Sequence, residues 1–154
     1  MSGLYAATTA GAIAGGVVAI LLVAYKKRKS LAPVITSTAS PAAGHYSQAI
    51  VHSGQVFVSG LLPITPDGTK LSSASFEEQA AQVLCNLDAI LVAAGSGLDR
   101  LLTVRVYITD IDNWATFNAL YSAKLGAHKP ARAVVPVPVL HYNFSLEVEA
   151  TAAL

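Results

Sequence analysis

Arg132-Ala133-Val134-Val135-Pro136, followed by Leu146-Glu147-Val148-Glu149-Ala150, decides how this chain is read. Both stretches are apolar and rich in β-formers, which predicts strands. An Arg inside such a stretch is costly to bury unless it binds something, and the natural ligand for its planar fork of donors is a carboxylate. Glu147 is close enough in sequence to lie on the neighbouring strand. A fixed cation beside a carboxylate that handles a proton is a minimal site for a small amino-acid-like molecule.

Upstream of these segments the elements follow from local signals. Gln48–Ser53 and Gln55–Leu62 read as strands joined by the turn Ser53-Gly54. Ser75-Phe76-Glu77-Glu78 is a capping box, and Phe76, Ala80, Val83, Leu84, Leu87, Ile90 and Leu91 recur behind it at helical spacing until Gly95. Leu101–Thr109 alternates as a strand, with Thr103, Arg105 and Tyr107 on one face. A second helix is predicted from Asp112 to Leu125, its buried stripe made of Trp114, Phe117, Tyr121 and Leu125. Ala131–Val137 and Ser145–Ala152 complete an α+β domain, a mixed sheet with two helices on one face. Cys85 is the only cysteine and falls on the apolar side of the first helix, which predicts a core residue.

The 154 residues suffice for one domain, taken as 41–154, preceded by a linker over 30–40. The chain is 53% hydrophobic and 12% charged, with a mean hydropathy of +0.52. Much of that excess lies at the N-terminus. From Leu4 to Tyr25 there is no charge, and as a helix this run spans roughly 33 Å, enough to cross a bilayer core. Lys26-Lys27-Arg28-Lys29 follows at once. By the positive-inside rule residues 1–29 then form a retained single-pass anchor, with the globular part on the lysine side. The weak Ala/Gly-rich hydrophobicity points to a mitochondrial membrane, the domain facing cytosol or matrix. Gly11 and Gly15 are spaced for a close helix neighbour. Beyond the anchor there are six Lys/Arg against nine Asp/Glu; an acidic domain without a basic stripe argues against a nucleic-acid partner.

Four blocks resemble a known family in order and spacing: Gly44-His45-Tyr46-Ser47-Gln48-Ala49, Val58-Ser59-Gly60 with Pro63, Asn118-Ala119 with Tyr121, and Pro130-Ala131-Arg132 with Glu147-Val148-Glu149-Ala150. On these the chain is identified as a member of the RidA (YjgF/YER/UK) family. The resemblance implies a chorismate-mutase-like α+β fold, a trimer with active sites in clefts between subunits, and hydrolysis of enamines and imines such as 2-aminoacrylate and 2-iminobutanoate to 2-keto acids and ammonia. It implies no metal or organic cofactor, and His45, His52, His128 and His141 have no metal-ligand spacing. Carried over by position, Arg132 binds the substrate carboxylate and Glu147 activates water or donates a proton. Tyr46 and Ser59 line the cleft, Asn118 supports it, and the main chain at Val134 holds the substrate.

Alternatives stand beside each role. Arg132 could be a structural partner of Glu147 or Glu149, which share a face at a spacing of two. Tyr46 could be interface packing. Ser59 has no His/Asp relay and is not read as a nucleophile. The chain departs from the family at His45, Leu61, Val134 and His141, where Pro, Gln, Cys and Pro are frequent. A second reading, supported by the retained N-terminal span, makes it an accessory subunit of a membrane complex, alone or mixed with paralogues. A third makes it a sensor of a 2-keto acid.

Overall fold

The computed structural model describes residues 31–154. The predicted anchor and its GxxxG pair lie outside the described residues. Among the described residues no helix is long and apolar enough to cross a membrane.

Six strands and two helices follow in the order β1 (Ala32–Val34), β2 (Ala49–His52), β3 (Gln55–Leu61), α1 (Phe76–Ala93), β4 (Leu101–Ile108), α2 (Trp114–Leu125), β5 (Ala131–Pro136) and β6 (Leu146–Ala153). In the sheet they stand as β1-β2-β3-β6-β4-β5. Every neighbouring pair is antiparallel except β4 and β5, which run parallel. A parallel pair needs a crossover, and α2 supplies it. The mixed sheet with two helices agrees with the α+β reading.

Local chemistry places the joints. Ser53 and Gly54 both take positive φ, 51° and 80°, the conformation that a two-residue hairpin turn between twisted strands requires. Ser75 caps α1: its hydroxyl accepts from the Glu78 amide while the Glu78 carboxylate accepts from the Ser75 amide. Such a cap contributes about 1 kcal/mol.

β6 alternates buried and half-buried residues along its whole length. The buried set (Leu146, Val148, Ala150, Ala152) joins Val56, Val104, Val106, Leu87 and Phe117 in one apolar cluster beneath the helices. Each fully buried Val, Leu or Phe there contributes roughly 1.5–3 kcal/mol. The other face of the sheet carries Phe57, Thr103, Arg105, Tyr107, Glu147 and Glu149 and has no helix over it, as the strand registers require.

Three expectations are corrected. The segment read as a linker contributes β1, and Ala39 and Ser40 are buried. Pro33 is tolerated there because β1 is an edge strand. Side-chain amides fasten the rest: Gln48 accepts from the Thr36 amide at 2.7 Å and donates to the Ser40 carbonyl at 2.7 Å, and Asn86 accepts from the Ser40 amide at 3.2 Å. Cys85 is exposed rather than in the core. Trp114 is also outside it, 43% exposed at the first residue of α2.

Candidate functional site

Arg132 stands on the edge strand β5, opposite Val104 of β4, which in turn faces Ala150 of β6. Residues in register share a face, so Arg132 points to the helix-covered side. There α2 meets it with Trp114, Asn118 and Tyr121, spaced to lie along one side of the helix. The guanidinium Nη2 donates to Asn118 Oδ1 at 2.8 Å. Its central carbon lies 4.7 Å from the Tyr121 ring centre and 5.9 Å from that of Trp114. Aromatic faces attract a guanidinium and hold its plane without consuming its donors. Among the described residues no carboxylate pairs with Arg132; the ion pairs are Arg105–Glu149 and Lys124–Asp88. Beside it opens a cavity of about 420 Å³ bounded by Asn118, Tyr121, Lys129 and Pro130. The Tyr121 hydroxyl is buried without a hydrogen-bond partner among the described residues. Burial raises its pKa, and the nearby Arg132 opposes that shift.

Glu147 stands opposite Tyr107, which faces Val135, and so points to the uncovered side of the sheet. Its carboxylate fills the space above Gly60, where any Cβ would collide with Oε1. Burial, reinforced by the Glu149 charge, holds the Glu147 carboxyl above its usual range, while His141 pulls the other way. The two glutamates are thereby distinguished. Glu149 is engaged by Arg105 at 3.0 Å and by the Tyr107 hydroxyl at 3.2 Å. Glu147 has no ionic partner among the described residues.

Tyr46, Ser59 and Gly60 line a second cavity of about 200 Å³, and it is against Gly60 that the Glu147 carboxylate lies. Ser59 is a fixed element of that wall: its hydroxyl donates to the Ser47 carbonyl at 2.7 Å and its amide to the Gln48 carbonyl at 3.1 Å. Tyr46 is 51% exposed and its hydroxyl accepts from the Ala43 amide at 3.1 Å. Val134 lies two residues beyond Arg132 on β5, its side chain against the core.

The six residues read from the sequence thus fall into two groups. Tyr46, Ser59 and Glu147 gather on one side; Asn118, Arg132 and Val134 gather on the other. The expectation that Arg132 and Glu147 occupy neighbouring strands of one site is corrected: β4 lies between their strands and they point to opposite faces. Within one chain they cannot grip the same small molecule. Sequence reasoning missed the aromatic clamp: Tyr121 is in the core as expected, but its ring and that of the exposed Trp114 also face the guanidinium. It also missed Gly60 as the seat of a carboxylate. Among the described residues no three His, Cys, Asp or Glu gather closely enough to hold a metal ion.

Comparison with known proteins places these features. Residues 36–154 match the family model described as Endoribonuclease L-PSP. The chain is 43% identical over 123 residues to "Protein MMF1, mitochondrial" of Saccharomyces cerevisiae, covering 80% of this chain and 84% of that protein. It is 36% identical over 122 residues to "Reactive Intermediate Deaminase A, chloroplastic" of Arabidopsis thaliana, covering 79% and 65%. Its fold superposes on the crystal structure of E. coli TdcF with bound serine at a TM-score of 0.75 and 34% identity, covering 80% of this chain and 98% of that one.

Proposed function

Because the chain belongs to the Endoribonuclease L-PSP family, the RidA/YjgF group, we propose that it is an enamine/imine deaminase. It converts 2-aminoacrylate- and 2-iminobutanoate-type molecules to 2-keto acids and ammonia, in a site completed by a second copy of the chain. One observation carries this reading. The chain holds an unpaired, clamped guanidinium on one face and a carboxyl of raised proton affinity on the other. Each is half of a site, and the halves meet only across an interface. A cyclic trimer repeats that interface three times.

In the composite site Arg132 of one copy receives the substrate carboxylate through two parallel charge-assisted bonds. Asn118 fixes the guanidinium from behind, and the β5 main chain at Val134 borders the substrate. Glu147 of the neighbouring copy, with Tyr46 and Ser59 as walls, faces the carbon–nitrogen bond. An enamine first takes a proton at its terminal carbon and gives one up from nitrogen, which makes it the imine. Glu147 then accepts a proton from water as the water oxygen bonds to the imine carbon, and returns that proton to the nitrogen to give the carbinolamine. The hydroxyl proton passes through Glu147 to the amine, the carbonyl forms, the carbon–nitrogen bond breaks and ammonia leaves. A carboxyl held above its usual range sits closer to working pH, where general acid–base catalysis is most effective. The imine carbon is already electrophilic, so positioning supplies much of the acceleration. The serine in the TdcF structure, itself a small carboxylate, supports a ligand of this class. RNA cleavage, which the family description suggests, is disfavoured by six Lys/Arg against nine Asp/Glu beyond residue 29.

Residues 4–25 anchor the chain in a mitochondrial membrane, with the domain on the side of Lys26–Lys29. The uncharged run and the mitochondrial name of the yeast relative support this placement.

The test is ammonia release by the full chain from enzymatically generated 2-aminoacrylate, with Arg132→Ala beside it. Acceleration that the variant abolishes bears the reading out. Equal release with and without the wild-type protein rejects it.

A further inference from the structure

No residue of α1 lines the cavity at Gly60, yet side chains of α1 hold three of the segments that form it. Gln79 and Asn86 stand two turns apart on one side of the helix. Both are buried among Ala80, Val83 and Leu87, at 2% and 1% exposure. A primary amide carries one acceptor oxygen and two donor hydrogens, and burying them is costly unless they are bonded. Here their partners are backbone groups from distant parts of the chain. Asn86 Oδ1 accepts from the Ser40 amide at 3.2 Å and from Gln82 Nε2 at 3.0 Å, and Asn86 Nδ2 donates to the Ile64 carbonyl at 2.8 Å. Gln79 Oε1 accepts from the Ser145 amide at 2.9 Å, and its Nε2 donates to the Ala74 carbonyl at 3.1 Å.

Each bond meets the cleft at a definite place. Ser40 begins the wall that continues through Pro41 and Ala42 towards Tyr46. Gln48 takes its carbonyl at 2.7 Å, so both backbone groups of Ser40 are held by side chains. Ile64 ends the wall that starts at Ser59. Ser145 closes the turn that carries His141 and Tyr142, and it lies two residues before Glu147. Its carbonyl accepts from the Thr109 amide at 3.0 Å, so Ser145 is tied on both sides, to α1 and to the residue just past β4. Apolar burial has no preferred direction, whereas a hydrogen bond weakens steeply off line. The amides therefore fix positions that the core alone leaves free to slide.

We propose that Gln79 and Asn86 are positioning residues for the deamination. Through Ser145, Gln79 sets where Glu147 stands; through Ser40 and Ile64, Asn86 sets the walls of the cleft around Tyr46. The proposal deepens the deaminase reading and rests on it for the reaction.

The experiment measures imine turnover and calorimetric binding of 2-oxobutanoate, per folded site, for the full chain and three variants. Gln79→Met is expected to lose about tenfold in kcat with KM near that of the wild type, because the Glu147 carboxylate is displaced from the reacting centre. Asn86→Leu is expected to weaken 2-oxobutanoate binding severalfold with kcat nearly unchanged. Leu91→Ala removes buried apolar contacts from the same helix and no hydrogen bond; it is expected to lower Tm and to leave kcat and binding alone. Equal losses in Leu91→Ala, or none in Gln79→Met and Asn86→Leu, overturn the proposal. If Gln79→Met does not fold, Gln79→Asn, whose shorter arm draws the acceptor away from Ser145, carries the same expectation. Infrared titration of the Glu147 carboxyl, identified as the band absent from Glu147→Gln, needs no substrate. With Glu149 and His141 unchanged beside it, its midpoint is expected to fall toward the ordinary carboxyl value in the Gln79 variant, as the turn loosens and the carboxyl gains water. That shift supports the positioning role even if no imine is hydrolysed and the deaminase reading falls. A midpoint that does not move overturns it.

Discussion

Arg132 and Glu147 point to opposite faces of the same sheet. The registers Arg132–Val104–Ala150 and Val135–Tyr107–Glu147 are three residues apart on both β5 and β6, and odd spacings along a strand reverse the side-chain direction. No side-chain rotation brings the two groups to one ligand inside a single chain. The chemistry therefore depends on association, and each half of the site is testable separately.

The Arg132 half depends on the fork and on its aromatic bed. Arg132→Lys keeps a charge but loses the second parallel bond, and is expected to reduce kcat/KM by about 100-fold, mostly through KM. Tyr121→Phe retains the ring 4.7 Å from the guanidinium and is expected to bind 2-oxobutanoate as the wild type does. Tyr121→Leu removes the ring and is expected to weaken binding severalfold. Equal weakening by Phe and Leu would assign the effect to the hydroxyl instead.

The Glu147 half trades stability for function. Its carboxyl is held above the ordinary 4.5 by burial and then by Glu149. The unfolded chain therefore gives up this proton at lower pH than the folded chain. As pH rises from the unfolded value through the raised folded value, the folded state is progressively destabilised, and the full cost is present above it. Glu147→Gln removes that cost. Thermal unfolding is expected to show a higher Tm for the variant at pH 7 and a difference that fades below about pH 4, with deamination lost. Identical melting curves at pH 7 would mean that the carboxyl is not desolvated.

Gly60 is a test of geometry alone. A Cβ there collides with Glu147 Oε1, so Gly60→Ala is expected to push the carboxylate aside. Turnover should fall by about tenfold or more, since small misplacements at a reacting centre are costly, while circular dichroism stays that of the wild type. Undiminished activity in Gly60→Ala would show that the carboxylate need not rest there.

Features governed by neighbouring residues were legible in the sequence. The Ser75/Glu78 box and the Ser53-Gly54 turn are local chemistry, and both stand where their residues place them. The alternation in β4 and β6 marked the core face correctly. Features set by where an element sits in the sheet were not legible. Trp114 lies at helical spacing with Phe117 and Tyr121 yet is exposed at the first turn of its helix, and Cys85 shares the outward face of its helix with Ala81 and Val92. A three-residue edge strand containing Pro33 leaves no periodic trace, so β1 was read as linker. The residue types at Arg132 and Glu147 pointed to a carboxylate ligand and a proton carrier. Their opposite facing depends on strand order and on the register across β4, which no local pattern encodes.

The central claim is that one site draws Arg132 and Glu147 from different copies, and subunit mixing tests it most directly. Arg132→Ala and Glu147→Gln proteins, each inactive alone, are dissociated together, reassembled and assayed for ammonia release. In a cyclic trimer every mixed assembly contains one interface with both wild-type groups, so random mixing is expected to restore about one quarter of wild-type activity. A mixture as inactive as its two parents would contradict the account, because it would place both groups of each working site on one chain.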